Sequence, residues 1–290
     1  MEILKCKSLE KSILENLKER IKKLSSVPSL TMISVGEDPA SKTYVAKKEK
    51  VASQLGINAI QINLPETVSE NDLLLEVKKH TVVTPTIVQL PLPPHINTNT
   101  VIQAINPATD VDGFSPSNVG SMLLGHSCFL PATPKGILKI LEYFNVDVDG
   151  KRVAVVGRSN IVGRPIASLL SDKSHNATVT LCHSRTPNLS QILEQVDVII
   201  VATGRPNTIS VSDVRNDAVV INVGVNRVPD ESERGWHLEG DFNPAGADST
   251  NIRYTPVPGG VGLLTVAMLM ENTVEFYEKH SGTFSENSIQ

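Results

Sequence analysis

Apolar residues recur along this chain in two rhythms. Leu9, Ile13, Leu17, Ile21 and Leu24 fall three or four apart, the spacing of one helical face. Residues 30–35 read as a strand, closed by the turn Gly36-Glu37-Asp38-Pro39. The pattern then predicts a helix over 41–55, a strand over 58–64, a helix over 70–80 and a strand over 86–90. That last strand runs into Pro91-Leu92-Pro93-Pro94, and a short helix over 100–105 follows. Strand and helix in alternation imply a parallel sheet covered on both faces.

The stretch from Asn106 to Gly113 reads as a loop, and a second alternating block begins near Pro131. There Thr133 can cap a helix with Pro134 at its first position, and Ile137, Leu138, Leu141 and Phe144 supply its apolar side. Strands are predicted over 152–156, 178–182, 196–202 and 218–223, with helices between them. A last helix over 262–278 carries Leu264, Ala267, Met268 and Val274, and the polar tail 281–290 is expected to lack fixed structure. The two blocks share a type of architecture but no repeat of fixed period. The reading is an α/β protein of two parallel-sheet domains with a cleft between them. The first covers 1–125 and is rejoined by the final helix at 262–290; the second, Rossmann-like, covers 126–261.

Composition narrows what such a chain does. Its 290 residues carry 40% hydrophobic and 20% charged side chains, ordinary for a soluble globular protein. A net charge of −4 with no long basic run argues against nucleic acid or an anionic membrane as partner. No apolar run reaches membrane-span length, and the polar start lacks the core of a signal peptide. Cys6, Cys128 and Cys182 make no Cys-x-x-Cys pair, so neither a zinc site nor a disulfide framework is expected. Sparse cysteine in odd number fits a reducing compartment, here the cytoplasm. The histidines show no metal-ligand spacing, and no metal is expected.

One lysine stands out. Val45, Lys48, Ala52 and Leu55 follow helical spacing, so Lys48 lies on an otherwise apolar stripe, with Tyr44 one turn earlier. A lysine so placed is desolvated, paired or at a cleft, or else it snorkels with an exposed head. A desolvated amine beside a phenol can move protons near neutral pH.

The second block opens on a nucleotide-site pattern. The strand 152–156 leads into Gly157-Arg158-Ser159-Asn160-Ile161-Val162-Gly163, a tight turn into a helix whose N-terminus can face a phosphate. The glycine pattern is degenerate: Ser159 stands where a second glycine would be, and Gly163 comes one residue late. An NAD site usually has a carboxylate at the end of the next strand, about 20 residues on. Here that strand ends in His183-Ser184-Arg185-Thr186. Two guanidinium groups, Arg158 and Arg185, with the Ser184 hydroxyl suit a 2′-phosphate, so the cofactor expected is NADP. The alternative is that both arginines are solvated surface charges.

Further segments complete the pattern: Val88-Gln89-Leu90-Pro91-Leu92-Pro93, Asp110-Val111-Asp112-Gly113, Pro131-Ala132-Thr133-Pro134 and Thr255-Pro256-Val257-Pro258-Gly259-Gly260-Val261-Gly262. In this order, with Tyr44-x-x-x-Lys48 and Gly157-Arg158-Ser159, the chain resembles the methylenetetrahydrofolate dehydrogenase/cyclohydrolase family from Val35 to about Thr273. The resemblance implies a homodimeric, NADP-linked enzyme of one-carbon metabolism acting on tetrahydrofolate derivatives. Such an enzyme oxidises 5,10-methylenetetrahydrofolate to the methenyl cation and hydrolyses that cation to 10-formyltetrahydrofolate.

The resemblance also implies catalytic roles for Lys48 and Gln89, with Asp112 as the carboxylate that binds the pterin and Tyr44 as a stacking face. Val88, Leu90, Pro258, Gly259 and Gly260 are implied as folate contacts. The glycine loop residues Gly157, Arg158, Ser159 and Ile161, the pair Ser184 and Arg185, and Val225 are implied as cofactor contacts. The chain departs from the family pattern at Thr109, where lysine is usual, at Ala132, where cysteine is common, and at Leu263-Leu264, where Pro-Met is usual. A dehydrogenase lacking the hydrolase activity is the main alternative, and a non-catalytic folate- or nucleotide-binding module another. A short-chain dehydrogenase also uses Tyr-x-x-x-Lys, but there the nucleotide loop precedes that motif.

Overall fold

The computed structural model describes residues 1–82 and 84–280, so the polar tail lies outside the described residues. In chain order the elements are β1 (Glu2–Ile3), α1 (Lys7–Ile21), β2 (Ser29–Val35), α2 (Pro39–Leu55), β3 (Asn58–Leu64), α3 (Glu70–His80), β4 (Thr86–Val88), α4 (Thr98–Ala104), α5 (Pro116–Leu123) and α6 (Ala132–Tyr143). They continue with β5 (Arg152–Val156), α7 (Gly163–Ser171), β6 (Thr178–Cys182), α8 (Leu189–Leu193), β7 (Val198–Val201), β8 (Ile209–Ser210), β9 (Val219–Asn222), β10 (Asn226–Pro229), β11 (Trp236–Glu239), β12 (Phe242–Asn243), β13 (Arg253–Tyr254) and α9 (Val261–Lys279). Among the described residues, no helix is long and apolar enough to cross a membrane.

The chain divides into two compact units. One comprises Met1–Lys11 and Thr133–Thr265, the other Ser12–Ala132 and the chain from Val266 onward. This division differs from the one read in the sequence at its start. Glu2 and Ile3 pair in parallel with Arg253 and Tyr254, which ties the first residues to the Rossmann-like unit rather than to the first block. The breaks also fall inside α6 and α9, both of which run on without interruption.

In the first block, β3, β2 and β4 form a parallel sheet in that order, with β2 in the middle. Caps set its helices. The Asp38 side chain accepts from the Ser41 N–H at 2.7 Å and starts α2, which ends on Gly56 at φ +78. Ser69 accepts from the Asp72 N–H at 3.1 Å and starts α3, whose last turn is basic. One core joins Leu17, Leu30, Met32, Ala52 and Ile87 to Val266, Met268, Met270 and Phe276 of α9. A second, under α3 and α4, gathers Ile33, Leu73, Val77, Val88 and Val101.

In the other unit a six-stranded parallel sheet runs β1-β13-β9-β7-β5-β6. Its central strands β5, β7 and β9 are apolar apart from Arg152 and Asn222 at their ends, as strands covered on both faces are. Strand order reverses at β5, with β6 on one side and β7 on the other, and ligands of open α/β sheets bind at the carboxyl ends beside such a switch point. One local expectation fails here. Helix α6 begins at Ala132, so Thr133 is not its cap; its hydroxyl instead meets that of Thr265 at 3.0 Å.

Candidate active site

The stripe on α2 is buried as its spacing implied: Val45, Ala52 and Leu55 are at most 8% exposed, and Lys48 itself is 9% exposed. Its ammonium donates to Gln89 Oε1 at 3.0 Å. Gln89 follows β4 directly and is held twice, since its N–H donates to the Ile33 carbonyl at 2.8 Å and its Nε2 donates to the Leu90 carbonyl at 2.7 Å. With its amide nitrogen committed to the main chain, the glutamine can only present oxygen to the lysine. The sequence therefore places a fixed acceptor at a strand end and swings a helix-borne amine onto it. Val88, buried in β4, supports the same strand end. Gln89 and Pro91 also line a pocket at the carboxyl ends of the strands, with Ser34, Val45, Glu49 and Asn63.

Burial pushes the Lys48 ammonium below its usual range, while the Asp112 charge works in the opposite direction. For Asp112, burial lifts the carboxyl from 3.8 to about 6; Lys48 pulls it down and Asp110 pushes it up. Amine and carboxyl are thus brought toward one another in proton affinity, the condition for proton exchange near neutral pH. Tyr44, 36% exposed, lies one turn before Lys48, and burial raises its phenol.

The sequence reading passed over Asp110, which shapes the loop carrying Asp112. Asp110 is fully buried. Its Oδ1 accepts from the Gly113 N–H at 3.1 Å, and its Oδ2 accepts from the Ser115 N–H at 2.7 Å and from Asn118 Nδ2 at 3.0 Å. Gly113 turns there at φ +70, and a Cβ on it would lie 2.5 Å from the Phe129 carbonyl oxygen, so only glycine fits. Asp110 is itself a motif residue, but no local spacing announces a carboxylate that clamps its own loop.

A carboxyl that holds its proton more tightly folded than unfolded contributes stability at low pH that is lost as pH rises through its folded value, here about 6. Asp112→Asn removes that loss. The variant should be more stable than wild type above about pH 7, by about 1–2 kcal/mol once pairing and solvent are allowed for, and the gain should vanish near about pH 4. Thermal melts at both pH values check this; a variant less stable than wild type at the higher pH overturns it.

In the Rossmann-like unit, Gly157 follows β5 at φ +123, and a Cβ there would lie 2.1 Å from the Ala202 carbonyl oxygen. A Cβ on Gly163 would lie 2.0 Å from the Gly157 carbonyl oxygen. The turn is a bare-backbone cradle that side chains would fill, which suits close approach of a pyrophosphate. Ser159 does more there than replace a glycine. Its hydroxyl accepts from the Val162 and Gly163 N–H groups at 3.2 and 3.4 Å, so it closes the entry to α7 itself. Arg158 and Ile161 are exposed on this loop, and Ser184 and Arg185 are exposed in the turn after β6. That turn is set by Thr186, whose hydroxyl accepts from the His183 N–H at 2.9 Å. Val225 follows β9 and is 37% exposed. Pro258, Gly259 and Gly260 lie in the segment leading into α9, within this unit and not in the unit that carries Lys48. Among the described residues, no cluster of histidine, cysteine and carboxylates could hold a metal.

Comparison with known proteins matches both halves of this arrangement. Residues 4–112 match the catalytic-domain model, and residues 131–281 the NAD(P)-binding-domain model, of the tetrahydrofolate dehydrogenase/cyclohydrolase family. The bifunctional protein FolD of Chlorobium chlorochromatii is 43% identical over 288 residues, covering 95% of this chain and 98% of that protein. The bifunctional FolD enzyme of Campylobacter jejuni superposes with a TM-score of 0.90 at 40% identity, covering 97% of this chain and 99% of that one. The Trypanosoma brucei enzyme, solved with NADP and an inhibitor, gives 0.91 at 32% identity, covering 97% and 98%.

Proposed function

The chain belongs to the tetrahydrofolate dehydrogenase/cyclohydrolase family, and from that premise we infer how its residues divide the work. It is an NADP-dependent enzyme that oxidises 5,10-methylenetetrahydrofolate to the methenyl cation and hydrolyses that cation to 10-formyltetrahydrofolate. The observation that carries the division of roles is the buried Lys48 ammonium held on Gln89 at 3.0 Å.

The first step needs mainly orientation. Tyr44 offers a flat face to the pterin or aminobenzoate ring, and Asp112 accepts from the aminopyrimidinone edge. NADP, when bound, accepts the hydride from the methylene carbon. The bare turn at Gly157 and Gly163 fits its pyrophosphate, and Arg158, Ser184 and Arg185 fit its 2′-phosphate. Ile161 and Val225 offer apolar contact beside that loop, and Pro258-Gly259-Gly260 let backbone approach the folate. The burial that disfavours charge on Lys48 suits this step too, since a second cation beside the forming methenyl cation would raise the barrier.

Hydrolysis needs a proton acceptor. As water attacks the methenyl carbon, Lys48 Nζ takes one of its protons; that proton returns to the ring nitrogen as the carbon–nitrogen bond breaks, and the remaining hydroxyl proton leaves to solvent as the formyl C=O forms, the one net proton the hydrolysis releases. Gln89 Oε1 fixes the direction of Nζ, and Asp112 keeps the amine from becoming too weak a base. The first block is thus the folate-binding catalytic unit and the Rossmann-like unit the NADP-binding one. The active form is a homodimer in the cytoplasm.

One assay tests the reading. The purified protein, given methylenetetrahydrofolate and NADP, should form methenyltetrahydrofolate and then consume it, as followed by methenyl absorbance. Methenyl that accumulates and decays only at the spontaneous rate would leave the dehydrogenase alone standing.

A further inference from the structure

Behind the cofactor loops lies a carboxylate that the reaction itself does not use. Asp241, between β11 and β12, is fully buried. Its Oδ2 accepts from the Thr203 N–H at 2.6 Å and from the Gly204 N–H at 3.0 Å. Its Oδ1 accepts from Asn226 Nδ2 at 2.9 Å. The loop after β9 presses on the same group, because a Cβ on Gly224 would lie 1.9 Å from Oδ1. The backbone of Asp241 is fixed in turn. Asn222 Oδ1 accepts from the Asp241 N–H at 2.9 Å and from the Phe242 N–H at 3.2 Å.

These bonds gather the segments that leave β7 and β9, on the side of the sheet where strand order makes a crevice. Thr203 and Gly204 directly follow Ala202, whose carbonyl is the group that Gly157 packs against. A line of contact therefore runs from the Asp241 carboxylate through the turn after β7 to the glycine turn. We propose that Asp241 is a positioning residue for cofactor binding: it holds the Thr203–Gly204 turn and the Gly224 loop in the shape on which the glycine turn rests. The proposal rests on the reading that the glycine turn takes the NADP pyrophosphate. A carboxylate oxygen suits the task, since one atom takes both N–H donors and its charge strengthens each bond.

Three variants test it, by calorimetric titration with NADP and by the rate of methenyltetrahydrofolate hydrolysis, which needs no cofactor. Asp241→Ala should weaken NADP binding about tenfold and leave hydrolysis within about twofold of wild type. Asp241→Asn should recover most of the affinity. Its amide oxygen still accepts the Thr203 and Gly204 N–H groups, and only the bond from Asn226 Nδ2 is given up. Unchanged NADP affinity in Asp241→Ala, or a parallel loss of both readouts, overturns the proposal. If the alanine protein does not fold, Asp241→Glu takes its place. The extra methylene drives the carboxylate into the Gly224 loop, so the glutamate variant should bind NADP more weakly than the asparagine one, and the reverse order overturns the proposal. A wild-type chain that binds no NADP brings down the cofactor reading and this inference with it. A wild type that binds, beside an alanine variant that binds as well, brings down this inference alone.

Discussion

Replacing Lys48 with methionine should collapse methenyl hydrolysis by about 10²–10⁴-fold while part of the dehydrogenase activity survives. The substitution keeps length and apolar packing beside Val45, Ala52 and Leu55, all buried on the same face. It deletes an amine whose proton affinity burial lowers. Gln89 stays in place through its bonds to Ile33 and Leu90, so the strand end does not lose its shape. Hydride transfer depends on holding donor and acceptor carbon in line, which the substitution leaves largely intact. Methenyl product should therefore build up in the coupled assay. A second consequence follows from charge: Lys48 holds the Asp112 carboxyl down, so without it Asp112 should titrate higher still. A variant that hydrolyses methenyltetrahydrofolate at the wild-type rate above background would remove Lys48 from the chemistry. The lysine would then be a buried amine that serves only to hold Gln89.

How much of this was open to reading differs from element to element. Strands β3, β5 and β6 and helix α3 have the bounds their patterns predicted: β3 and β6 alternate, β5 is an apolar run, and α3 is capped in place by Ser69. Helix α5 is passed over although its start is signalled: Ser115 caps it, accepting from the Asn118 N–H at 3.3 Å with Pro116 at its first position, and Asn118 Nδ2 is further bonded to the Asp110 carboxylate. Strand β1 is two residues long and owes its existence to β13, some 250 residues away in sequence. The hairpin of β10 and β11 lies in a polar stretch where pairing, not periodicity, makes the strands.

The site divides the same way. Lys48 stands out by breaking an apolar stripe, whereas Gln89 is pointed to only by the family resemblance. Asp110 and Asp241 are the groups that set loop shape, and both bind main-chain N–H groups. Every residue but proline carries such a donor, so no side-chain spacing can point to the partner. Ser159 shows the limit in another form: its place in a degenerate glycine pattern says that something replaces a glycine, not that its hydroxyl closes the turn before α7.

Replacing Arg158 with alanine should weaken NADP binding about 10- to 100-fold and leave NAD binding nearly as it was. The argument is one of adjacency. Val156 and Cys182 are partners in register at the carboxyl ends of β5 and β6, and the Gly157 N–H donates to the Cys182 carbonyl at 2.9 Å. The turns that leave these strands therefore start side by side. Arg158 comes two residues after Val156, and Ser184 and Arg185 come just after Cys182. Both arginines are exposed and no carboxylate intervenes in either turn, so the site offers a 2′-phosphate two cations and a hydroxyl where an NAD site would offer an acid. A charge-assisted phosphate contact contributes about 1.5–3 kcal/mol, which sets the expected loss. The effect should shrink as salt rises, since both guanidinium groups face solvent. Direct titration of both cofactors checks it, and Arg185→Ala should show the same preference for NAD in smaller measure. Equal losses for NADP and NAD in Arg158→Ala would mean that this guanidinium grips the shared pyrophosphate and that discrimination lies elsewhere in the loop.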